Sequence, residues 1–373
     1  MKKVKLGEVC EILSGYAFKS SQFNDKKIGL PLIRIRDVER GFSDTYFEGA
    51  YPEEYLIKNG DLLITMDGSF ILKKWEGDLA LLNQRVCKIK ITDKSVDEDY
   101  ISWLIPKYLK EIEDKTPFVT VKHLSVAKIK DISFVLPNKP EQKLISKELN
   151  TISQIYDFRK IQSEELNELV KSRFNEMFML RNFPLIRLGE LVEEVRYGTS
   201  LPATLNGKYG YLRMNNITED GRLNIQNLKH IDVPEKDIEK CVVRNGDVLF
   251  NRTNSMELVG KTCIYELDFD MVIAGYIIRI RTKKNILNPR YLSEFLNFPS
   301  TKKFLRNIAK GAVNQANINA KELQDISIPL PRLSLQNEFA DFVAQVDKSQ
   351  LAIQKSLEEL ETLKKSLMQE YFG

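Results

Sequence analysis

Apolar and polar positions alternate in short runs along most of the chain, and the runs end at polar or glycine-containing turns. Short apolar runs of this kind predict β-strands rather than helices. They occur at matching places in the two halves of the chain, so the strands are predicted in pairs. The predicted strands are residues 32–38, 62–65 and 86–91, with counterparts at 211–217, 248–251 and 277–282.

Two segments follow a different rhythm, in which apolar residues recur at intervals of three and four. A narrow apolar stripe that continues for ~35 residues predicts a helix about 50 Å long. One small domain cannot cover such a stripe, so we expect the two helices to pair with each other; the alternative is that each helix packs onto its own domain. The stripes consist of Ile145, Leu149, Ile152, Tyr156, Leu166, Val170 and Met177, and of Phe339, Val343, Val346, Ile353, Leu357, Leu360, Leu367 and Tyr371.

The chain is an internal repeat, with two copies of roughly 190 residues each. The distance between matching motifs grows from 182 residues at the first motif to 194 at the last, so insertions fall between motifs. One scaffold used twice with different loops predicts two related ligands, because binding residues concentrate on loops. The matching motifs are 5–9 with 187–191, 57–63 with 243–249, 100–102 with 291–293, 131–133 with 325–327, and Pro137 with Pro331.

Composition narrows the class of protein. At 373 residues, with 43% apolar and 29% charged residues, the chain is predicted to form two or three globular domains. The apolar run 271–278 is far too short to span a membrane, and Lys5 and Glu8 interrupt any signal-peptide core, so we expect a cytoplasmic protein without a membrane partner. Four scattered cysteines and two histidines predict buried thiols rather than a metal site.

The net charge of +4 is unevenly distributed. Residues 141–180 hold six basic and seven acidic side chains, and residues 333–373 hold four and seven, so the two helices sum to −4. The rest of the chain therefore carries +8. This excess favours polyanion binding by the globular parts rather than by the helices.

The sequence contains no recognisable catalytic motif. Gly260-Lys261-Thr262 resembles the end of a phosphate-binding loop, but Ser255 stands where that loop requires glycine. The scarcity of histidine argues against imidazole acid–base chemistry. No acidic and lysine grouping typical of a nuclease repeats in both copies, and no methyltransferase motif is present. We therefore predict that the chain itself is not an enzyme and binds no cofactor or metal.

Candidate ligand contacts are polar, basic and aromatic residues on turns at matching positions of the two copies. Arginine, asparagine and similar donors bind base edges and phosphates, although ordinary turn chemistry is a competing explanation for each position. The candidates are Ser14, Tyr16, Lys19, Arg34, Arg36, Asp37, Thr120 and Lys122 in the first copy, and Tyr197, Thr199, Arg213, Asn215, Asn216, Arg252, Asn254, Lys310, Asn314 and Gln315 in the second.

Taken in order, the motifs at 5–8, 59–63 and 131–137, followed by a long helix and repeated from Arg187, resemble the specificity subunit of a type I restriction-modification system. No single motif is specific, but the ordered and duplicated set covers the entire chain. The resemblance implies an α+β fold of two mixed α/β target-recognition domains, with the two long helices paired as an antiparallel coiled coil. The implied segments are a first domain at 1–139, its helix at 140–182, a second domain at 183–332 and its helix at 333–373.

The resemblance further implies a role in reading DNA. Each domain would read one half of a bipartite, asymmetric site in double-stranded DNA, and the helices would set the gap between the halves. Two methyltransferase subunits using S-adenosylmethionine would dock on the chain, and motor-nuclease (restriction) subunits could join them. Two rival classes stay open from the residues alone, a DNA-binding coiled-coil scaffold outside restriction-modification and an enzyme with an unrecognised site.

Overall fold

The computed structural model describes residues 2–116, 122–312 and 315–373. The chain forms two compact units. The first unit comprises Met1–Arg159 together with Ser356–Gly373, and the second comprises Lys160–Lys355. Each unit is therefore built from one domain and from parts of both long helices.

The first unit contains eleven strands among the described residues, several of them only two or three residues long. Its helices are α1 (Leu6–Val9), α2 (Ile35–Arg40), α3 (Glu98–Lys115), α4 (Val126–Lys130) and the start of α5 (Lys139–Phe174). Its strands are β1 (Lys2–Lys5), β2 (Cys10–Ser14), β3 (Phe23–Asn24), β4 (Leu30–Ile33), β5 (Tyr46–Phe47), β6 (Leu56–Ile57), β7 (Leu62–Thr65), β8 (Leu72–Lys74), β9 (Ala80–Leu82), β10 (Val86–Ile91) and β11 (Ser133–Leu136).

The second unit follows a similar order of elements after a π-helical turn at Asn175–Met179, with additional strands and helices. Its helices are α6 (Leu188–Leu191), α7 (Glu235–Cys241), α8 (Pro289–Asn297), α9 (Pro299–Ile308), α10 (Ala320–Gln324) and most of α11 (Leu333–Phe372). Its strands are β12 (Leu185–Arg187), β13 (Val192–Tyr197), β14 (Tyr209–Leu212), β15 (Lys229–Ile231), β16 (Val242–Val243), β17 (Val248–Asn251), β18 (Thr253–Asn254), β19 (Thr262–Ile264), β20 (Met271–Ile273), β21 (Ile277–Thr282), β22 (Lys310–Ala312), β23 (Gln315–Asn317) and β24 (Ser327–Pro329).

The two domains share the strand order of their main sheet. An antiparallel sheet has the order β2-β10-β7-β8 in the first unit and β13-β21-β17-β19 in the second. A second sheet in each unit contains one parallel pair, β4 with β9 and β14 with β20. The predicted duplication of a mixed α/β domain is confirmed by this matching topology.

Four of the six strand predictions were correct, and the other two were wrong because a turn interrupts the predicted run. The predictions 62–65, 86–91, 248–251 and 277–282 coincide with β7, β10, β17 and β21. The predictions 32–38 and 211–217 were too long. Strand β4 ends at Ile33 and β14 at Leu212, because α2 begins at Ile35 and a 3-10 turn begins at Met214.

The repeated Asn-Gly-Asp motif is a turn whose carboxylate closes on its own backbone. Asp61 accepts from the Lys58 amide at 2.9 Å, and Asp247 accepts from the Arg244 amide at the same distance. The intervening Gly60 has φ of 96°, a left-handed conformation that favours glycine, and Gly246 has φ of 93°. The motif thus fixes the start of β7 and β17 in the two copies.

A buried glutamine joins each long helix to the domain that precedes it. The Gln142 side-chain amide donates to Pro137 O (2.8 Å) and Ser95 O (3.1 Å), while its oxygen accepts from the Asp97 amide at 2.8 Å. Gln336, 194 residues later, is equally buried and makes the same three bonds to its own domain. These bonds satisfy backbone groups that would otherwise be buried without partners.

The far end of each long helix packs in the other unit. In the first unit, Phe372 near the end of α11 contacts Tyr100 with ring centroids 5.5 Å apart. In the second unit, Phe178, which follows α5, contacts Tyr291 at 4.8 Å. Tyr100 and Tyr291 belong to the repeated motif at 100–102 and 291–293. Each domain therefore packs against the beginning of its own helix and the end of the other one.

Within each unit the two helices also contact one another. In the second unit, the Gln350 amide donates to Ser163 O (3.1 Å) and Asn167 Oδ1 (2.8 Å), and Phe174 packs against Phe339. The pairing of 163 with 350 and of 174 with 339 shows that the helices run antiparallel there. In the first unit, the Tyr371 hydroxyl donates to Glu148 at 2.5 Å. The segment boundaries drawn from the sequence stay predictions.

An ionic network connects the second domain to α11. Asp347 on the helix accepts from both Arg222 and Arg290, each at 3.3 Å. Glu294 lies one helical turn from Arg290 on α8, and burial raises its pKa to about 7 although the two arginines oppose that shift. A carboxyl group with that pKa changes its charge close to neutral pH.

Candidate nucleic-acid interface

The second unit has an open cleft of about 740 Å³, which we call the cleft. Its lining comes from the segments that follow β13 and β17 and from the strands β22 and β23. The Tyr211 hydroxyl holds the segment at 199–201 in place, since it lies within hydrogen-bond distance of Thr199 O (3.2 Å) and Leu201 O (3.1 Å). The lining residues are Thr199, Ser200, Leu201, Pro202, Ala203, Tyr211, Arg213, Arg252, Thr253, Ala274, Gly275, Tyr276, Lys310, Gly311, Gln315 and Asn317.

Arg252 is the central cation of the cleft. Its guanidinium carbon lies 4.8 Å from the centre of the Tyr197 ring, and one of its terminal nitrogens donates to Gly275 O at 3.3 Å. The Nε atoms of Arg252 and Arg213 are buried without a hydrogen-bond partner. Two arginines that line one cleft form a site suited to an acceptor-rich ligand.

Lys310 and Gln315 bring further donors to the rim from β22 and β23. The Lys310 side chain is 78% exposed, and its ammonium group lies 2.5 Å from Glu322. That hydrogen bond lowers the pKa of the Glu322 carboxyl. The rim is therefore cationic, with one carboxylate that holds Lys310 in position.

The first unit contains an equivalent surface, which the strand registers identify residue by residue. Thr65 pairs with Val86 in the first unit as Asn251 pairs with Ile277 in the second, so Arg85 corresponds to Tyr276 and Met66 to Arg252. The parallel bridge from Tyr16 to Asn83 likewise matches that from Thr199 to Ala274. We call Tyr16, Arg34, Met66, Asp67, Asn83, Gln84, Arg85 and His123 the equivalent surface.

The equivalent surface carries a cluster of three charged or titratable side chains. Asp67 lies 3.3 Å from Arg85 Nε and 2.6 Å from His123 Nδ1. Asp67 and His123 form an antiparallel bridge, and the corresponding residues Thr253 and Asn317 pair in β18 and β23. The two units thus place different chemistry on the same backbone frame.

The structure brings many of the sequence candidates onto these two surfaces. In the second unit, Thr199, Arg213, Arg252, Lys310 and Gln315 line the cleft, and Tyr197 stacks on Arg252. In the first, Tyr16 and Arg34 lie on the equivalent surface, and the Ser14 hydroxyl contacts Met66 Sδ at 3.9 Å. Lys19, Arg36 and Asn215 are exposed and lie close in sequence to residues of the two surfaces. Asn254 is half-buried in β18.

Three candidates have structural roles instead. Asp37 and Asn216 are buried, and each accepts from the backbone amide three residues earlier, at Arg34 (3.1 Å) and Arg213 (2.8 Å). This burial removes both side chains from the set that can touch a ligand. The Lys122 ammonium donates to Glu113 O near the end of α3 at 2.8 Å. Thr120 and Asn314 lie outside the described residues.

Sequence reasoning missed several residues of the two surfaces. Asp67, Arg85 and His123 in the first unit, and Thr253, Tyr276 and Asn317 in the second, were not among the candidates. The signal that could have found them was the repeat itself. The counterpart of the candidate Arg252 is Met66, and Asp67 is the next residue. Carrying each candidate to its partner copy leads to these positions.

The two surfaces offer hydrogen-bond donors and aromatic rings. Such groups bind phosphates and base edges. Among the described residues, no three histidine, cysteine, aspartate or glutamate side chains are grouped as a metal would require. The four cysteines are buried free thiols, as predicted, and burial raises the pKa of Cys87 and of Cys263 to about 12. No helix in the described parts of the chain has the length and apolarity of a membrane span.

Comparison with known proteins agrees with this arrangement. The family described as Type I restriction modification DNA specificity domain matches twice, at residues 1–168 and 182–363. The EcoBI specificity subunit of Escherichia coli is 30% identical over 99% of this chain and 85% of its own length. The StySPI specificity subunit of Salmonella potsdam is 24% identical over 92% of this chain and 81% of its own length.

Solved structures share the fold. The S subunit of a type I restriction-modification system from M. genitalium matches 100% of this chain and 96% of its own, with a TM-score of 0.65 at 13% identity. A chain from a structure of type I complex assembly matches with a TM-score of 0.56 at 17% identity, covering 100% and 97%. The chain therefore belongs to the type I restriction-modification DNA specificity family and carries two copies of its domain.

Proposed function

We propose that this chain is the DNA sequence-specificity subunit of a type I restriction-modification complex, with each domain reading one half of a bipartite, asymmetric site. The chain is not itself the catalyst, since specificity subunits of this family leave methylation and cleavage to partner subunits. One observation carries the proposal: two surfaces at equivalent places on a duplicated scaffold, within a family of DNA specificity domains.

The chemistry of the two surfaces supports half-sites of unlike sequence. The pair Tyr197 and Arg252 in the second unit corresponds to Ser14 and Met66 in the first. Arg252 adds a cation and a ring contact that the first unit lacks at this position. Because base recognition depends on donor and acceptor placement, unlike donors on one frame select unlike bases.

Modification and restriction subunits are the partners of this family of specificity subunits. We further propose that two modification subunits bind one chain. The junction between domain and long helix occurs twice, with the same hydrogen bonds at Gln142 and at Gln336, so the chain presents the same element twice. S-adenosylmethionine is assigned to those subunits and to no residue of this chain. We propose that the paired helices set the gap between the half-sites.

The test is selection of bound duplexes from a random DNA pool, using the chain co-purified with its modification subunit. We expect two unlike short sequences at one fixed spacing. Arg252→Met, which gives the second unit the residue of the first, should alter the selected sequence of one half-site and leave the other unchanged. Identical half-sites would contradict the asymmetric site, and sequence-independent, salt-sensitive binding would contradict the specificity function altogether.

A further inference from the structure

Arg85 is an arginine at a backbone conformation that ordinarily favours glycine. Its φ is 74°, in the left-handed region, and its carbonyl accepts from the Met66 amide at 2.8 Å. A residue with a side chain at such a φ is strained, and such strain clusters at functional sites. The strained turn projects the side chain from the tip between β9 and β10, where it is 53% exposed.

The position of Arg85 is defined by the repeat. It corresponds to Tyr276, which lines the cleft of the second unit beside Arg213 and Arg252. Arg85 therefore supplies the first unit with a cation on its ligand-facing surface, where the counterpart of Arg252 is the uncharged Met66. Each surface has such an arginine, at neighbouring rather than identical positions.

Asp67 holds the guanidinium group in one orientation. The Asp67 carboxylate lies 3.3 Å from Arg85 Nε through one oxygen and 2.6 Å from His123 Nδ1 through the other. The shorter contact requires a proton between the two atoms, so a hydrogen bond joins His123 Nδ1 to Asp67. One terminal nitrogen of Arg85 also lies 3.5 Å from His123 Nδ1. Each terminal nitrogen carries two N–H groups, so the outer end of the guanidinium group still presents a fork of parallel donors.

A fixed arginine fork matches one base edge best. In the major groove, guanine presents O6 and N7 as two adjacent acceptors, and a bidentate arginine is their commonest partner. From this geometry we infer that Arg85, positioned by Asp67 and His123, reads a guanine in the half-site bound by the first domain. The inference rests on the proposed function and names the residue that selects one base of the site.

The test measures binding of the chain and modification subunit to duplexes that carry each of the four base pairs at every position of the first half-site. For the wild type we expect a G·C pair at one position, preferred by about 10- to 100-fold over the others. Arg85→Ala should reduce that preference to within about threefold. Asp67→Asn should reduce it in part, because the fork remains but its orientation is lost.

Lys90→Ala is the matched control, since Lys90 is exposed on β10, the strand that follows Arg85, and its removal also costs one positive charge. It should leave the base preference intact. The second half-site is an internal control for folding, because a folded Arg85→Ala variant still selects it. Equal weakening on all sequences, with a salt dependence reduced by about one phosphate contact, would show that Arg85 binds the backbone and would overturn the inference.

An Arg85→Ala profile indistinguishable from that of Lys90→Ala would overturn it as well. A wild-type complex that selects no bipartite site would instead refute the proposed function, and this arm is read before any variant. The two failures are therefore distinguishable in one experiment.

Discussion

Single residues decide what each surface can bind, while the backbone beneath them is shared. Ser14 and Tyr197 occupy equivalent positions at the end of β2 and β13, as do Met66 and Arg252 after β7 and β17. The first pair meets through a hydroxyl and a thioether, and the second through an aromatic ring and a guanidinium group. Two exchanged side chains thus convert a nearly neutral position into a cationic one without a change of fold.

Residue chemistry also predicts a pH dependence in the second unit. Burial raises the pKa of Glu294 to about 7 from its ordinary value of 4.5, so the folded protein holds this proton more tightly than the unfolded chain does. Stability that the protonated carboxyl contributes is complete below about pH 4.5 and is lost as pH rises through 7. Glu294→Gln, which cannot ionise, should escape that loss.

We therefore expect Glu294→Gln to unfold at a higher temperature than the wild type at pH 8, with a gain of about 1–3 kcal/mol that shrinks toward zero at pH 5. Thermal unfolding followed by circular dichroism at several pH values measures this. Glu257→Gln, on an exposed turn of the same unit, is the control and should show no such trend. A constant difference across the pH range would contradict the assignment.

At the scale of elements, the buried glutamines show how a domain is fixed to its helix. Gln142 satisfies three backbone groups from two separate segments of the first domain, and it is fully buried. Gln142→Met keeps the length of the side chain but leaves those groups without partners. The expected loss in unfolding free energy of the first unit is about 2–4 kcal/mol.

The chain offers a selective probe for this prediction, because both of its tryptophans, Trp75 and Trp103, lie in the first unit. Tryptophan fluorescence in a denaturant titration should show an earlier midpoint for Gln142→Met and an unchanged one for Gln336→Met. Lys143→Met, on the exposed side of the same helical turn, should behave as the wild type. An unshifted Gln142→Met midpoint would show that these hydrogen bonds contribute little.

The sequence predicted elements well where hydrophobic pattern alone determines them. Strands β7, β10, β17 and β21 are apolar or alternating segments that lie inside a sheet, so their limits follow from the hydrophobic pattern. Strand β4 was predicted too long, because Asp37 caps α2 through the Arg34 amide and ends the strand. Such a cap depends on backbone geometry that apolar periodicity does not register.

The candidate site was harder to predict for a related reason. Its residues come from turns that are distant in sequence, and only strand pairing brings Asp67 to His123 and Thr253 to Asn317. The repeat supplied the correct neighbourhoods, such as the turns at Tyr16 and Thr199. It could not show that Asp37 and Asn216 face inward, since that is settled by the packing of the segment that follows each strand.

At the scale of the molecule, both long helices contribute to both units. Residues 356–373 of α11 complete the first unit, and residues 160–174 of α5 belong to the second. The first unit is therefore built from two separate stretches of chain, whereas the second is one continuous stretch, Lys160–Lys355. Truncation within α11 removes part of the first unit's core, including Phe372.

The proposed role of the helices in setting the gap predicts the effect of a matched deletion. Removing residues 156–162 and 351–357 takes one heptad from each helix and keeps Ser163 opposite Gln350. Seven residues shorten each helix by about 10 Å, or about three base pairs of DNA. The gap selected from a random pool should contract by that amount, and insertion of one heptad in each helix should lengthen it. An unchanged gap in a folded, DNA-binding variant would refute this role.

At Gly15 and Gly198 the backbone leaves no room for a side chain in either copy. A side chain at Gly15 would stand 2.0 Å from Asn83 O, and one at Gly198 would stand 2.1 Å from Ile273 O. Backbone touches backbone there, directly beneath Tyr16 and Thr199. Mutation can therefore change the side chains above this point, while the backbone contact at the two glycines is kept.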